Sequence, residues 1–275
     1  MKRRQLLTGL PALALSAGAL VSGGAQAIGP RSEVSIGRLK HGGTWDTRPE
    51  ALRRMLWEAG KRTSIQVARD AVLVSLDGGA VAVANAVGNA AGNAGGASRA
   101  PEGDELFWQP LLVLTGEGAL PPFDARARAR LERHLRFGGT LIVDAPSPSD
   151  AFWDSAKKEI GTVMGGAVPR ALEADHVIFK SFYLLDGAIG RVAQDKNLYS
   201  IDLGGRAAVI FSSNDLLGAL ERDRFGTWRF DCEPDAESQR EMSFRLATNL
   251  LMYATCIDYK ADQVHIPFIM KKKRR

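Results

Sequence analysis

The chain is poor in the groups that most often mark a metal-binding or redox protein. It has two cysteines, Cys232 and Cys256, and four histidines among 275 residues. The cysteines have neither zinc-site nor C-x-x-C spacing, which excludes those motifs. In an oxidising compartment two thiols can pair, and buried they can stay free; the sequence leaves both open. No P-loop, no strand-linked Gly-x-Gly-x-x-Gly and no Gly-x-Ser-x-Gly elbow is present. The usual signatures of nucleotide, dinucleotide and serine-hydrolase chemistry are therefore missing. A membrane span needs about 20 strongly apolar residues. The apolar stretch over residues 6–21 is diluted by Thr8, Gly9, Pro11, Ser16 and Gly18.

The positive balance is concentrated at the ends. The net charge is +5, and removing Lys2, Arg3, Arg4 and the five cations of residues 271–275 leaves residues 28–270 at −3. A mildly acidic body argues against a nucleic-acid partner. The basic end fits either contact with anionic lipid head groups or an acidic partner, or simply a solvated terminus. The sequence gives no indication of an oligomeric state.

What is present begins with an address. A basic start, an apolar segment and Ala25-Gln26-Ala27 predict a secretory signal over residues 1–27. Arg3 and Arg4 point to the twin-arginine route, and Ala25 and Ala27 mark the cleavage site. The general secretory route and an uncleaved anchor are the competing readings. The expected location is the periplasm, free or held at the membrane.

Downstream, the apolar fraction of 45% is enough for a substantial core. Spacing predicts a strand over 33–40 and a turn at His41-Gly42-Gly43-Thr44. A helix follows, opened by Pro49 with Thr47 or Arg48 near its cap and ended by Gly60. A strand is expected over 71–76. Residues 78–104 are Gly-, Ala- and Asn-rich and read as an inserted surface loop. Two continuous apolar runs, 111–115 and 140–144, flank a helical pattern over 124–137. That is a βαβ unit of a parallel sheet. A helix capped by Ser149 or Asp150, strands at 198–203 and 207–211, a short helical stretch at 216–220 and a closing helix over 236–257 complete the reading. The expected fold is a three-layer α/β domain over residues 28–265, with a mostly parallel sheet flanked by helices and a basic tail at 266–275.

Several separated segments resemble one bacterial family. They are Gly37-Arg38-Leu39-Lys40-His41-Gly42-Gly43-Thr44-Trp45-Asp46-Thr47-Arg48-Pro49, Leu114-Thr115-Gly116-Glu117-Gly118, Phe137-Gly138-Gly139-Thr140-Leu141-Ile142-Val143-Asp144, Asp175-His176-Val177-Ile178-Phe179, Ser212-Ser213-Asn214-Asp215 and Asn249-Leu250-Leu251-Met252-Tyr253-Ala254. In this order they resemble the domain-of-unknown-function family DUF4159. That resemblance implies a degenerate fold like class I glutamine amidotransferases, related to the flavodoxin-like sheets. It also implies export or membrane association and partners among membrane-associated envelope proteins, in a neighbourhood of MoxR-type ATPases and von Willebrand A proteins. The amidotransferase nucleophile is a cysteine on a strand-to-helix turn, and the equivalent turn here is Asp144-Ala145-Pro146-Ser147. Glutaminase chemistry is not expected.

Five places merit weighing as sites. Asp144 ends a parallel strand, where such folds bind ligands, and with Asp150 or Asp154 it offers oxygen ligands for a divalent metal. Capping of backbone amides is the simpler role. Ser147 and Ser149 sit on a turn without a nucleophile elbow. Ser212, Ser213, Asn214 and Asp215 form a polar strand end fitted either to a sugar, phosphate or metal or to an Asx turn. His176 would need a carboxylate partner such as Asp144 or Asp215 to act as a base, and a structural histidine is the alternative. Trp45 and Asp46, beside His41, offer stacking and hydrogen bonding to a ligand, with packing over the turn as the plain alternative. No cofactor is expected. The reading favours a non-catalytic envelope binding or assembly component. The alternative is a periplasmic hydrolase of an envelope carbohydrate or ester using Asp144, His176 and Ser213 or Asp215.

Overall fold

Continuous apolar strands form the centre of a single sheet, and alternation along them sorts the helices to its two faces. The computed structural model describes residues 33–77 and 105–256. The expected signal over 1–27, the insertion at 78–104 and the tail at 266–275 lie outside the described residues.

In chain order the strands are β1 (Ile36–Lys40), β2 (Val72–Ser75), β3 (Leu111–Thr115), β4 (Thr140–Asp144), β5 (Arg170–Ala171), β6 (Tyr199–Leu203) and β7 (Arg206–Ser212). The helices are α1 (Ala51–Arg62), α2 (Glu105–Trp108), α3 (Ala125–Arg136), α4 (Ala151–Val163), α5 (Leu216–Leu220) and α6 (Ala236–Thr255). The seven strands lie in the order β2-β1-β3-β4-β7-β6-β5. The first five in that order are mutually parallel, and β6 runs antiparallel to both β7 and β5. Taken alone, the parallel strands follow the flavodoxin-like order, with the reversal of direction between β1 and β3.

The period-2 rule accounts for the layers. Leu111 and Val113 of β3, Ile142 of β4 and Ile210 of β7 face α1, α5, α6 and a 3₁₀ turn at Val177–Lys180. Leu112, Leu114, Leu141, Val143, Val209 and Phe211 face α2, α3 and α4. This is the expected three-layer α/β fold. Asp124 caps α3 through Ala127 N–H and Asp150 caps α4 through Phe152 N–H, both at 2.7 Å.

Helix α1 departs from expectation at both ends. It starts at Ala51, after Pro49, because the Arg38 guanidinium takes the carbonyls of Arg48 and Pro49 and holds that turn out of the helix. It also runs through Gly60. A Cβ there would lie 2.9 Å from Val67 Cγ2, so this glycine permits close packing and does not end the helix. Cys232 and Cys256 are unpaired. Among the described residues no helix is long and apolar enough to cross a membrane.

Candidate functional site

The carboxyl ends of β1, β3, β4 and β7 gather most of the polar residues singled out from the sequence. Sheet register sets Thr115, Asp144 and Ser212 side by side on the last rung. Asp144 is 1% exposed and Asp215 2% exposed.

Asp144 accepts the Leu216 and Leu217 N–H groups at 3.0 and 2.8 Å. Asp215 accepts Gly218 N–H at 3.1 Å. Two carboxylates thus satisfy three of the amides that the start of α5 leaves without helical partners. Asp215 has left-handed backbone angles (φ 51°), a conformation aspartate tolerates better than most residues. Its neighbourhood allows no side chain at Gly190, where a Cβ would meet the Asn214 carbonyl oxygen at 2.1 Å.

Two arginines from distant parts of the chain neutralise Asp215. Arg48 Nε and Nη2 donate to its two oxygens at 3.1 Å, and Arg191 Nε donates at 2.5 Å. Arg48 also donates to Glu117 at 2.9 Å. Its guanidinium lies over the Phe230 ring at 4.5 Å, with that of Arg191 at 5.6 Å. Burial disfavours the Arg48 charge, but Asp215 and Glu117 outweigh it and raise its pKa. Asp144 has no such counter-charge. Burial, reinforced by the nearby Asp215 charge, pushes its carboxyl well above the usual range, against the pull of the Leu217 and Leu216 amides. A raised carboxyl pKa in a ligand-binding position is a common mark of an active site, although structural networks produce it too. Here both oxygens are occupied by backbone.

The reversal point between β1 and β3, where folds of this order bind ligands, is bridged by the chain itself. Glu117 N–H donates to the Thr44 carbonyl at 3.1 Å. His41 accepts Gly43 N–H on Nδ1 at 3.1 Å and so carries its proton on Nε2, 3.0 Å from the Thr115 carbonyl. Burial lowers the His41 pKa, against the Thr115 carbonyl, which raises it. The Gly43 amide is therefore engaged within the turn.

Several of the remaining candidates are also engaged within the fold. Asp46 pairs with Arg38 at 2.6 Å, and Trp45 beside it is half-buried. Asn214 accepts the N–H groups of Gln194 and Asp195 at 3.2 and 3.0 Å and donates to the Asp195 carbonyl at 2.5 Å. Asp150 caps α4 and accepts Gly118 N–H; Asp154 pairs with Lys157. Neither joins Asp144 in a ligand set, and among the described residues no group of three His, Cys, Asp or Glu could hold a metal. Ser147 and Ser149 bond to each other at 2.9 Å. Ser213 is buried, and its hydroxyl has no partner among the described residues.

His176 does not join this site. It accepts Ile178 N–H and packs on Tyr253 at 5.9 Å. The Tyr253 hydroxyl accepts Ala207 N–H near the other end of β7, about 16 Å of strand from Ser212. The carboxylates around His176 are Asp202, Asp175 and Glu173, and burial lowers its pKa. The expected base therefore faces neither Asp144 nor Asp215. Sequence reasoning missed Arg191, Glu117 and Phe230 as members of the site and read Arg48 only as a helix-cap residue. Arg48 lies 167 positions from Asp215, and its one hint was its place in the quoted segment that ends at Pro49.

No curated protein matches the chain. A family model described as "Domain of unknown function (DUF4159)" matches residues 35–255, a span containing β1 through α6 and every residue of the site just described. The chain belongs to the DUF4159 family.

Proposed function

We propose that this protein is a non-catalytic binding or assembly component of the cell envelope. The observation that carries this reading is the use of the carboxyl-end carboxylates by the fold: each Asp144 oxygen accepts a backbone amide, and Asp215 accepts from two arginines and a third amide. A general base or metal ligand needs a lone pair directed at substrate or ion. These side chains direct theirs at the fold. Two further features agree with the reading: no cysteine lies on the turn after β4, and residues 1–27 have the form of an export signal.

The test is mild cross-linking of the tagged full chain in its own cells, with mass spectrometry of the captured proteins. A stable set of envelope proteins, unchanged by His176→Ala and Ser213→Ala, is expected. Recovery of the protein alone, together with ester or glycoside hydrolysis abolished by either substitution, would overturn it.

A further inference from the structure

A large groove opens beside α1, and none of Asp144, Asp215, Arg48 or Arg191 lines it. It has a volume of about 1340 Å³ and runs between α1 and the loop that follows α5. Seven cations line it: Arg53, Arg54, Lys61, Arg69, Arg222, Arg224 and Arg229.

Three of the four acids that line the groove are already engaged, and the fourth, Glu33, is exposed. Glu221 is buried, accepts Glu50 N–H at 3.1 Å and so caps α1 from a distance. Asp223 accepts Phe225 N–H, Thr227 N–H and the Thr227 hydroxyl, at 2.8, 3.0 and 2.6 Å, and so shapes its own loop. Glu50 lies 3.5 Å from Arg53. Arg69 and Arg224 are exposed and have no carboxylate partner among the described residues.

Aromatic rings hold several of the cations in place. The Trp57 ring, 44% exposed, has Arg54 at 3.9 Å and Lys61 at 3.7 Å. Arg222 lies over Trp228 at 3.9 Å. Arg224 stacks on Phe225, which is 76% exposed at the loop tip. Burial lowers the Arg54 pKa, and the neighbouring Arg222 and Arg62 charges add to the effect against Glu58. Arg53 also pairs with Asp70 at 3.4 Å, Arg54 with Glu58 at 2.7 Å and Arg229 with Glu221 at 3.8 Å. Lys61, Arg69, Arg222 and Arg224 are left without a carboxylate among the described residues, and cations so placed attract anions from solution.

We infer that this groove binds an acidic, partly apolar peptide segment of a partner protein. The inference rests on the binding reading above. Arg69 and Arg224 supply two free sites for carboxylates, and arginine recognises them through paired N–H groups. Trp57, Val67, Ala68 and Phe225 line the same groove and would be covered by apolar side chains between the acids. A sulfated or phosphorylated polymer would meet the cations and leave those apolar surfaces in water, so the mixed lining selects a peptide. The volume exceeds that of an ordinary small-molecule pocket.

The probe is a short fluorescein-labelled peptide of glutamates interrupted by phenylalanine and leucine, titrated against the full chain by fluorescence anisotropy. Saturable binding that weakens with salt is expected, with about a tenfold loss on combining Arg69→Glu and Arg224→Glu. Phe225→Ser should weaken it as well, and Arg126→Glu on α3 should leave it unchanged. All four positions are exposed, and thermal melts of each variant verify folding. No binding, equal binding by the double variant, or preferential binding of heparin or phosphatidylglycerol vesicles through the same residues would overturn the inference. Envelope cross-linking separates this failure from that of the wider reading. Capture that persists in the double variant removes the groove and keeps the binding role; no capture by either protein removes the binding role.

Discussion

The carboxyl end of the sheet and the groove beside α1 are both rich in charge, and they use it in opposite ways. At the carboxyl end, Asp215 meets Arg48 and Arg191, and Asp144 meets the amides of α5. Along the groove, Arg69 and Arg224 are exposed without a carboxylate among the described residues, and Arg54, paired with Glu58, also faces the charge of Arg222. Buried charge must be neutralised where it sits, whereas exposed charge can wait for a partner. The position where this fold class binds ligands is thus occupied by the chain's own scaffolding, and an open cationic surface lies elsewhere.

The sharpest way to break the contrast is to remove the shared acid. Asp215→Ala leaves two guanidinium groups without their buried counter-charge, at an expected cost of about 3–5 kcal/mol in urea denaturation. A loss as small as that of a surface change would mean the cluster is not structural. Asp144→Ala uncovers the Leu216 and Leu217 amides and should cost about 2–3 kcal/mol. Asp144→Asn keeps the shape and one acceptor and should cost less.

A pH profile sharpens the same point. Burial pushes the Glu221 carboxyl up to about 7, against the Glu50 and Ala51 amides it caps and the charges of Arg229 and Arg48. A carboxyl with a raised folded pKa binds more protons folded than unfolded. Its contribution is full below the unfolded value near 4.3 and is lost as pH rises through about 7. His134, lowered to about 4 by burial and by Arg206, acts in the other direction, its contribution being lost as pH falls from 6.5. The difference between wild type and Glu221→Gln isolates the carboxyl. Wild type should lose on the order of 1 kcal/mol relative to the variant between pH 5 and 8. A difference that does not change with pH would contradict the assignment.

The smallest effect on stability is expected in the groove. Arg224→Glu should leave the melting transition within about 0.5 kcal/mol of wild type while reducing binding of the acidic peptide.

Legibility in the sequence followed the range of the interactions. Strands β3 and β4 read to the residue because fully buried parallel strands are unbroken apolar runs. The layers followed from their alternation. Gly60 and Pro49 misled because their roles are tertiary: one lets Val67 approach, and the other sits in a turn clamped by Arg38. Strand β5 has two residues, too few to carry a period. Asp144 and the 212–215 strand end drew notice as polar groups at parallel strand ends, and the register sets Asp144 beside Ser212. Their partners were not legible. A salt bridge between Arg48 and Asp215 leaves no local pattern, and His176 looked available only because nothing in its own segment shows that it packs against Tyr253.

The central claim, that partners meet the groove and not the carboxyl end, is tested most directly by site-specific photo-cross-linking in the cells that make the protein. Benzoylphenylalanine replaces Phe225 at the loop tip in one variant and Ser147 beside the carboxyl-end site in another. Adducts with one partner protein from position 225, and none from position 147, are the predicted result. Adducts from position 147 with none from position 225 would contradict the account and return the carboxyl end of the sheet to consideration as the working site.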